Sequence, residues 1–310
     1  MKESVPDLTI AAVEREVGLS KDVLRVWERR YGFPSPSRDT HGERRYPGEQ
    51  VQRLRVIKRL LDQGLRPGRL LGSSAEELAV LAADMPREAP VTSLEDGGPA
   101  EAAGLLDCVR SHDAARLHHM LQQRLTQFGL AAFVQDTIAP LAVEVGNEWA
   151  RGGLQVFDEH LFTEVATRLL RHAILAVPPG QGPLVLLTTV PEEAHGMGLL
   201  MAEAMLSLRG ARCINLGTQM PLMDIARAAD AYRVEVVALS FSAAFTPRRI
   251  PGLLQQLRNE LGAHVRLWAA GAAVHRVAAM DGVVVLGSME DAVAALDACA
   301  PATQRGPVQA

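Results

Sequence analysis

A glutamate and a histidine stand where the first predicted strand of the carboxy-terminal half ends and a helix begins. His195 follows Glu193 by two residues and precedes Gly198 by three. Ligands of open parallel sheets bind at the carboxyl ends of the strands. An imidazole there can bind a borderline metal ion through one ring nitrogen while the carboxylate holds the other, and the glycine leaves room for a bulky planar group. A helix-capping loop with an incidental histidine is the alternative that these residues leave open.

Cationic side chains near the amino terminus indicate a second kind of chemistry, the binding of a polyanion. Residues 1–72 contain 15 Lys and Arg against 10 Asp and Glu, whereas the remaining residues contain 17 against 26. A basic head on an acidic body suggests that only the head binds nucleic acid. The residues expected to contact DNA are Lys21, Arg25, Arg29, Arg30, Arg38, Arg44 and Arg45.

Two short helices joined by a tight turn would position these cations. Gly18 ends the first amphipathic run, and Ser20 is a suitable N-cap for a second helix that reaches Arg30. This is the spacing of a helix–turn–helix, whose second helix enters the major groove. Residues 34–46 could form a wing, and a third helix is predicted over about 49–63. A solvated charged helix in an ordinary bundle is the alternative that charge alone leaves open.

The rest of the chain divides by its apolar periodicity. The head is predicted to extend to residue 83, and a linker rich in proline, glycine and acidic residues is predicted over 84–100. Apolar residues at three- and four-residue steps over 101–178 predict a helical bundle. Five short apolar runs separated by helical segments over 183–300 predict a parallel sheet built from βαβ units. The expected fold class is therefore multi-domain, α and α/β.

Composition narrows the class of protein further. The chain has 310 residues, of which 48% are hydrophobic and 22% charged, values typical of two or three folded domains. No uninterrupted run of about 18 apolar residues and no signal-peptide core is evident, so a cytoplasmic location without membrane contact is expected. The three cysteines, Cys108, Cys213 and Cys299, form no C-x-x-C pair, which argues against a disulfide scaffold or a cysteine-ligated zinc.

The order of residues in the head resembles the winged helix–turn–helix of the MerR family. The resemblance covers about 65 residues and rests on Thr9-Ile10, Gly18-Leu19-Ser20, the run from Leu24 to Gly32, Arg44-Arg45-Tyr46 and the run from Arg53 to Ile57. It implies a dimer on a roughly palindromic operator. Metal-sensing members carry cysteines farther along, and none precedes Cys108 here, so thiolate metal sensing is not expected.

The first motif, Glu193-x-His195-x-x-Gly198, resembles the Asp-x-His-x-x-Gly signature of cobalamin-binding Rossmann-like domains, with Glu for Asp. The resemblance implies that His195 displaces the benzimidazole of the cofactor and ligates cobalt from below. Two further motifs each depart from the family by one residue. Ser240-x-Ser242 is similar to Ser-x-Leu, and Gly271 between two alanines is similar to Gly-Gly, and in the family both motifs line the pocket of the nucleotide tail.

A third resemblance lies in the predicted bundle. Trp149 is followed after nine residues by Glu159-His160, as in CarH/LitR-type cobalamin photoreceptor repressors, whose bundle covers the upper face of adenosylcobalamin. The resemblance implies that Trp149, Glu159 and His160 sense the upper ligand. A tryptophan in the bundle core beside an exposed Glu-His pair is the structural alternative. Light-sensing members carry a histidine directly after the tryptophan to capture cobalt, and Ala150 stands at that position.

Together the resemblances imply a DNA-binding repressor whose oligomeric state and operator binding are controlled by cobalamin, foremost adenosylcobalamin, with light as a candidate signal. The expected partners are a double-stranded DNA operator and further copies of the chain, in a homodimer or homotetramer. The alternative is a MerR-type regulator whose degenerate cobalamin domain serves oligomerisation or partner binding without the cofactor. An enzyme is not expected, because cobalamin enzymes need a separate substrate barrel of roughly 250 residues and no catalytic motif stands out.

Overall fold

The computed structural model describes residues 7–62, 65–83 and 99–299. These residues form two units: the first contains the described residues up to 83 together with 146–156, and the second contains 99–145 together with 157–299. The predicted linker lies outside the described residues except for its end, where a helix already begins at Pro99. Proline suits a first helical turn because its φ is preset and its missing N–H has no helical acceptor there.

The first unit contains a helix–turn–helix and a three-stranded antiparallel sheet with the strand order β1-β3-β2. Its elements are β1 (Leu8–Thr9), α1 (Ile10–Val17), α2 (Lys21–Tyr31), β2 (Ser37–Arg38), β3 (Arg44–Tyr46), α3 (Gly48–Asp62), α4 (Pro67–Leu70) and α5 (Ala75–Ala83). The hairpin of β2 and β3 forms the predicted wing.

Local caps fix the turn between the first two helices as the sequence predicts. Gly18 adopts a left-handed conformation with φ +72° and ends α1. Ser20 begins α2 by accepting a hydrogen bond on its hydroxyl from the backbone N–H of Val23 at 3.3 Å. Leu24 and Trp27 lie one turn apart on the buried face of α2. The charged face of α2 is therefore left for solvent or a ligand.

Four helices follow the undescribed linker, as the apolar spacing predicts. They are α6 (Pro99–Arg110), α7 (Ala114–Ala132), α8 (Ala139–Arg151) and α9 (Val156–Leu175). Gly129, with φ +78° and ψ 172°, breaks α7, and residues Phe133–Ile138 form a π-helical turn before α8. Neither irregularity was predicted, because the prediction rests on three- and four-residue apolar steps elsewhere in the segment and gives no account of where a helix is interrupted.

One helical run in this region was not anticipated as a membrane-span candidate. Residues Ala114–Trp149 are long and apolar enough, by length and composition alone, to cross a membrane. The break at Gly129 interrupts the run, and Leu117, Leu121 and Ile138 are buried inside the protein. Core helices of bundles pass the same test of length and composition, so a single run of this kind is weak evidence for a membrane span.

The five predicted strands form one parallel sheet with the order β5-β4-β6-β7-β8. Its elements are β4 (Leu184–Thr188), α10 (Met197–Leu208), β5 (Arg212–Asn215), α11 (Leu222–Tyr232), β6 (Val236–Ser240), α12 (Ile250–Glu260), β7 (Arg266–Ala270), β8 (Val283–Leu286) and α13 (Met289–Asp297). The strand order reverses direction between β4 and β6. A ligand crevice is expected at the carboxyl ends of these two strands.

Candidate functional site

Glu193 is the buried centre of the site at the carboxyl ends of β4 and β6. Its side chain is only 1% exposed. Oε1 accepts a hydrogen bond from the backbone N–H of His195 at 2.9 Å and lies 2.7 Å from Nδ1 of the same residue. Oε2 accepts hydrogen bonds from the backbone N–H of Ser242 at 2.8 Å and from its hydroxyl at 2.9 Å. Both carboxylate oxygens are thus satisfied, as a buried charge requires.

These contacts set the charge of the pair. Burial alone would raise the pKa of Glu193, but the hydrogen bonds from His195 and Ser242 outweigh it and hold that pKa below its ordinary value. The hydrogen bond to Glu193 raises the pKa of His195 against the opposing effect of burial. Because Glu193 is ionised, Nδ1 carries the proton of the hydrogen bond and donates that bond to the carboxylate. The second ring nitrogen, Nε2, belongs to a side chain that is 58% exposed and can meet a ligand.

Two hydroxyls anchor the loop that carries this pair, and the sequence analysis missed them. Thr189 is fully buried, donates a hydrogen bond to the carbonyl of Glu193 at 2.6 Å and accepts one from the backbone N–H of Gln219 at 2.8 Å. Thr188 donates to the carbonyl of Gly217 at 2.9 Å. The signal was present, since two hydroxyl residues end an otherwise apolar strand at the edge where ligands bind.

The predicted glycines accommodate the protein's own chain. A Cβ atom on Gly198 would lie 2.7 Å from the hydroxyl of Ser240, so α10 begins against the end of β6 only because that residue is glycine. Gly271 has φ +104°, and a Cβ there would collide with the carbonyl oxygen of Phe241. The structure thus brings Glu193, His195, Gly198, Ser240, Ser242 and Gly271 to one edge of the sheet. The hydrogen bonds of Ser242 to Glu193 were not predicted.

The predicted upper-face residues lie at the junction of α8 and α9. Glu159 accepts a hydrogen bond from the hydroxyl of Thr163 at 2.8 Å and lies 2.7 Å from Nδ1 of His160. The charge of Glu159 also contributes to the raised pKa of His195, so the two side chains share one electrostatic environment. Trp149 lies near the end of α8, in the first unit. Its indole Nε1 is buried without a hydrogen-bond partner among the described residues, which leaves a donor for a ligand.

The donor set fits a metal that brings most of its own ligands. Among the described residues, no group of three or more His, Cys, Asp or Glu side chains could hold a metal ion alone. A single exposed imidazole, oriented by a buried carboxylate, can still complete the coordination of a borderline metal inside a macrocycle. The residue types of His195 and Glu193 therefore fit a ligand to such a metal and the carboxylate that supports it.

The three cysteines are poor thiolates in the folded chain. Burial raises the pKa of Cys213 to about 11, and burial also raises the pKa values of Cys108 and Cys299. Each thiol is therefore largely protonated at neutral pH.

We expect the native protein to resist alkylation of its cysteines. With a pKa about two units above its ordinary value, Cys213 should react with iodoacetamide at pH 8 roughly 100-fold more slowly in the native chain than in the urea-unfolded chain. Mass spectrometry of labelled peptides measures the ratio. Rapid labelling of native Cys213 would show that its thiolate is accessible after all.

Most predicted DNA-contacting cations of the wing are tied to neighbouring acids. Arg44 Nε lies 2.8 Å from Glu28 Oε2, and the Tyr46 hydroxyl donates to Glu28 Oε1 at 2.6 Å. Arg45 pairs with Asp39 at 3.0 Å. Because Glu28 lies on α2 and the other two side chains lie on β3, these contacts fix the wing against the helix. Arg44 thus has a structural role in the free protein.

The exposed face of α2 carries cations that are freer to bind phosphate. Arg25 pairs with Asp22 at 3.3 Å on the surface, Lys21 pairs with Glu14 at 3.3 Å, and Arg30 stacks over the ring of Tyr31. Arg38 donates to the carbonyl of Gly42. Within the described ranges, no hydrogen bond or ion pair engages Arg29.

We expect Arg29 and Arg44 to behave differently when replaced by alanine. Arg29→Ala should lower operator affinity by about 10- to 100-fold without changing thermal stability, because its guanidinium is free to contact DNA. Arg44→Ala should lower the melting temperature, because Glu28 loses its charged partner. Fluorescence anisotropy and thermal melts separate the two effects. Arg168→Ala, at an exposed position of α9, is the charge-matched control, and an equal loss of affinity in that variant would contradict a specific role for Arg29.

Three segments of the chain match known families. Residues 8–70 match the MerR HTH family regulatory protein family, and residues 101–174 and 183–297 match two families described as B12 binding domain. A MerR head followed by a helical and a sheet domain for vitamin B12 defines a cobalamin-binding transcriptional regulator.

Known relatives identify the family. The chain is 32% identical over 277 residues to the HTH-type transcriptional repressor CarH of Myxococcus xanthus, across 88% of this chain and 91% of that protein. It is 30% identical to the repressor CarA of the same organism, across 80% of this chain and 81% of CarA. The chain belongs to the CarH family of cobalamin-regulated, DNA-binding MerR-type repressors. The monomethylamine corrinoid protein of Methanosarcina barkeri is a structural neighbour with a TM-score of 0.49 and 17% identity, covering 65% of this chain and all of that chain.

Proposed function

We propose that this repressor holds adenosylcobalamin through His195 and that the loaded protein self-associates on its operator. The observation that carries the proposal is the buried Glu193 carboxylate, 2.7 Å from Nδ1 of an exposed imidazole at the edge of the sheet where ligands bind. A carboxylate in that position fixes the ring and increases the electron density on the nitrogen that faces a metal. The bound cofactor would supply a cobalt ion whose upper ligand can be exchanged.

Each proposed domain has a role in this scheme. Residues 1–83 bind DNA, residues 101–178 form the cap, residues 183–300 hold the cofactor, and the linker joins head and cap. In the sheet domain, Glu193 and Ser242 orient His195, while Ser240, Gly198 and Gly271 shape the neighbouring edge. In the cap, Trp149, Glu159 and His160 sense the upper ligand. The buried, unpartnered indole N–H of Trp149 supports this role, because it can donate to a polar group of that ligand.

Self-association would explain how a small head gains operator affinity. The contacts of one short helix–turn–helix are few, and two or four linked heads bind adjacent half-sites with a high effective concentration. We therefore propose a cytoplasmic homodimer or homotetramer on double-stranded DNA as the repressing species. Loss or exchange of the upper ligand would shift the balance between assembled and dissociated forms.

The residue at position 150 bears on whether the chain responds to light. Ala150 cannot act as a metal ligand, so the capture of cobalt by a histidine directly after Trp149 is not available to this chain. We propose that the chain responds to the state of the upper ligand. Any response to light would therefore proceed without a histidine at position 150 as a second cobalt ligand beside His195.

One experiment tests the cofactor and the signal together. Purified protein is loaded with adenosylcobalamin, methylcobalamin or hydroxocobalamin, and absorbance, light scattering and operator binding are recorded before and after green illumination. We expect stoichiometric uptake and a larger assembly with adenosylcobalamin. A colourless protein that still binds its operator would instead support the degenerate-domain alternative, which the Ser242 position and the alanines beside Gly271 favour. A loaded assembly that ignores light would remove the photoreceptor role alone.

A further inference from the structure

The residue directly before Glu193 has a backbone conformation that its side chain disfavours. Glu192 has φ +72°, in the left-handed region where non-glycine residues are uncommon. It lies in the loop between β4 and α10 and precedes His195 by three residues. A loop that contains such a residue needs other contacts to hold it in place.

Arg249 supplies a contact of this kind from a neighbouring loop. Its Nη2 lies 3.0 Å from Glu192 Oε1, and its Nη1 binds the other carboxylate oxygen, so the guanidinium forms a bidentate ion pair with Glu192. Arg249 is the last residue of a 3₁₀ turn (Pro247–Arg249) after β6, and the next residue, Ile250, is fully buried and begins α12. The cation is therefore presented from a fixed element.

The two loops are joined at consecutive residues. Arg249 holds Glu192, and Ser242, from the same loop as Arg249, holds Glu193. The first contact is on the surface, where the side chains of Arg249 and Glu192 are 47% and 63% exposed, whereas the second joins the half-buried Ser242 to the buried Glu193. An exposed ion pair adds little to global stability, so the main consequence of the surface contact falls on the conformation of the loop.

We propose that the Arg249–Glu192 bridge is a positioning device that holds the His195 loop in its ligand-binding conformation before the cofactor arrives. The proposal rests on the proposed function, in which His195 is the axial ligand. Arg249 is a positioning residue, since it acts on the loop backbone through Glu192. Preorganisation of this kind increases affinity because binding no longer has to order the loop.

Replacement of Glu192 by glycine tests whether the bridge acts by holding residue 192 in its left-handed backbone conformation. We expect Arg249→Ala to weaken the binding of hydroxocobalamin about 10-fold, with an unchanged melting temperature. Glu192→Gly should bind nearly as the unaltered protein does, because glycine adopts φ +72° without strain. When Arg249→Ala is added to Glu192→Gly, the affinity for hydroxocobalamin should then fall no further. Arg248→Ala removes an exposed arginine from the same turn and is the matched control.

The apo protein gives a readout that is independent of the cofactor. The backbone N–H of His195 donates to Glu193, so its hydrogen exchange reports the order of the loop. We expect exchange about 10-fold faster in Arg249→Ala and near the original rate in the double variant. Unchanged exchange and affinity in Arg249→Ala would overturn the positioning role. So would a loss of affinity on Arg249→Ala that is equal whether residue 192 is glycine or glutamate. If this N–H is protected in the original protein but that protein takes up no cobalamin, the result would count against the proposed function. The role of the Arg249–Glu192 bridge in ordering the loop would not be contradicted.

Discussion

Replacement of His195 by alanine should abolish the red colour of protein mixed with adenosylcobalamin and purified from free cofactor. Among the described residues, no group of three or more His, Cys, Asp or Glu side chains could hold a metal ion, so the proposed site relies on the imidazole of His195. Loss of a supporting residue alone costs a metal site about 10- to 100-fold in affinity, and loss of the ligand should cost at least about 100-fold. Equilibrium dialysis with absorbance detection measures the change.

A second histidine variant controls for nonspecific effects. His118 is exposed on α7, so His118→Ala removes an imidazole of the same chain away from the sheet edge and should leave uptake unchanged. The head should still fold in His195→Ala, because its core is built from its own residues. Undiminished stoichiometric uptake by His195→Ala would remove His195 from the proposed site.

Local signals made much of the fold predictable. Gly18 and Ser20 determine the turn of the helix–turn–helix through their own backbone and side-chain preferences, so their effect could be predicted from the sequence. The five strands were predictable for a related reason. A strand buried on both faces is a short continuous apolar run, and the five runs predicted over 183–300 correspond to the five strands of the sheet.

Contacts between distant residues could not be predicted in the same way. Ser242 reaches Glu193 across 49 residues of sequence, and Arg249 reaches Glu192 across 57. The sequence analysis placed Arg44 on the wing, but its pairing with Glu28 depends on how β3 packs against α2. The order of strands brings such residues together, and no local pattern encodes it.

The two departures from the cobalamin signature meet in the structure. Glutamate replaces the usual aspartate at position 193, and serine replaces the usual leucine at position 242. Glutamate is one methylene longer than aspartate, and its second oxygen lies 2.9 Å from the serine hydroxyl that leucine would lack. Considered separately, each departure weakens the resemblance. In the structure the two residues form a hydrogen-bonded pair that holds a carboxylate behind the histidine.

Glu193→Gln should therefore lower cobalamin affinity by about 10- to 100-fold, although the ligand itself is retained. Glutamine keeps the volume of the side chain but removes the charge that holds the proton on Nδ1 of His195. Because the hydrogen bond to Glu193 is the largest cause of the raised His195 pKa, that pKa should fall in the variant. Binding titrations with hydroxocobalamin measure the affinity, and NMR titration of the imidazole in the apo protein measures the pKa.

The pair also gives the apo protein a pH-dependent stability with a defined sign. The lowered pKa of Glu193 stabilises the fold above the ordinary glutamate value of 4.5, and this contribution is lost as the pH falls through the lowered value. The raised pKa of His195 stabilises the fold below the ordinary value of 6.5, and this contribution is lost as the pH rises through the raised value. The difference in melting temperature between the original protein and Glu193→Gln should therefore be largest between about pH 4.5 and 6.5.

Ser242→Ala tests the support of the Glu193 carboxylate separately from its charge, because it removes one of the two hydrogen bonds from Ser242 to Oε2. This variant keeps the backbone N–H that binds Oε2 and loses only the hydroxyl, so its affinity loss should be smaller than that of Glu193→Gln, with the pH window retained. Thermal melts from pH 3.5 to 8.5 compare all three proteins. A stability difference between the original protein and Glu193→Gln that does not change with pH would mean that the carboxylate and the imidazole do not titrate as a pair.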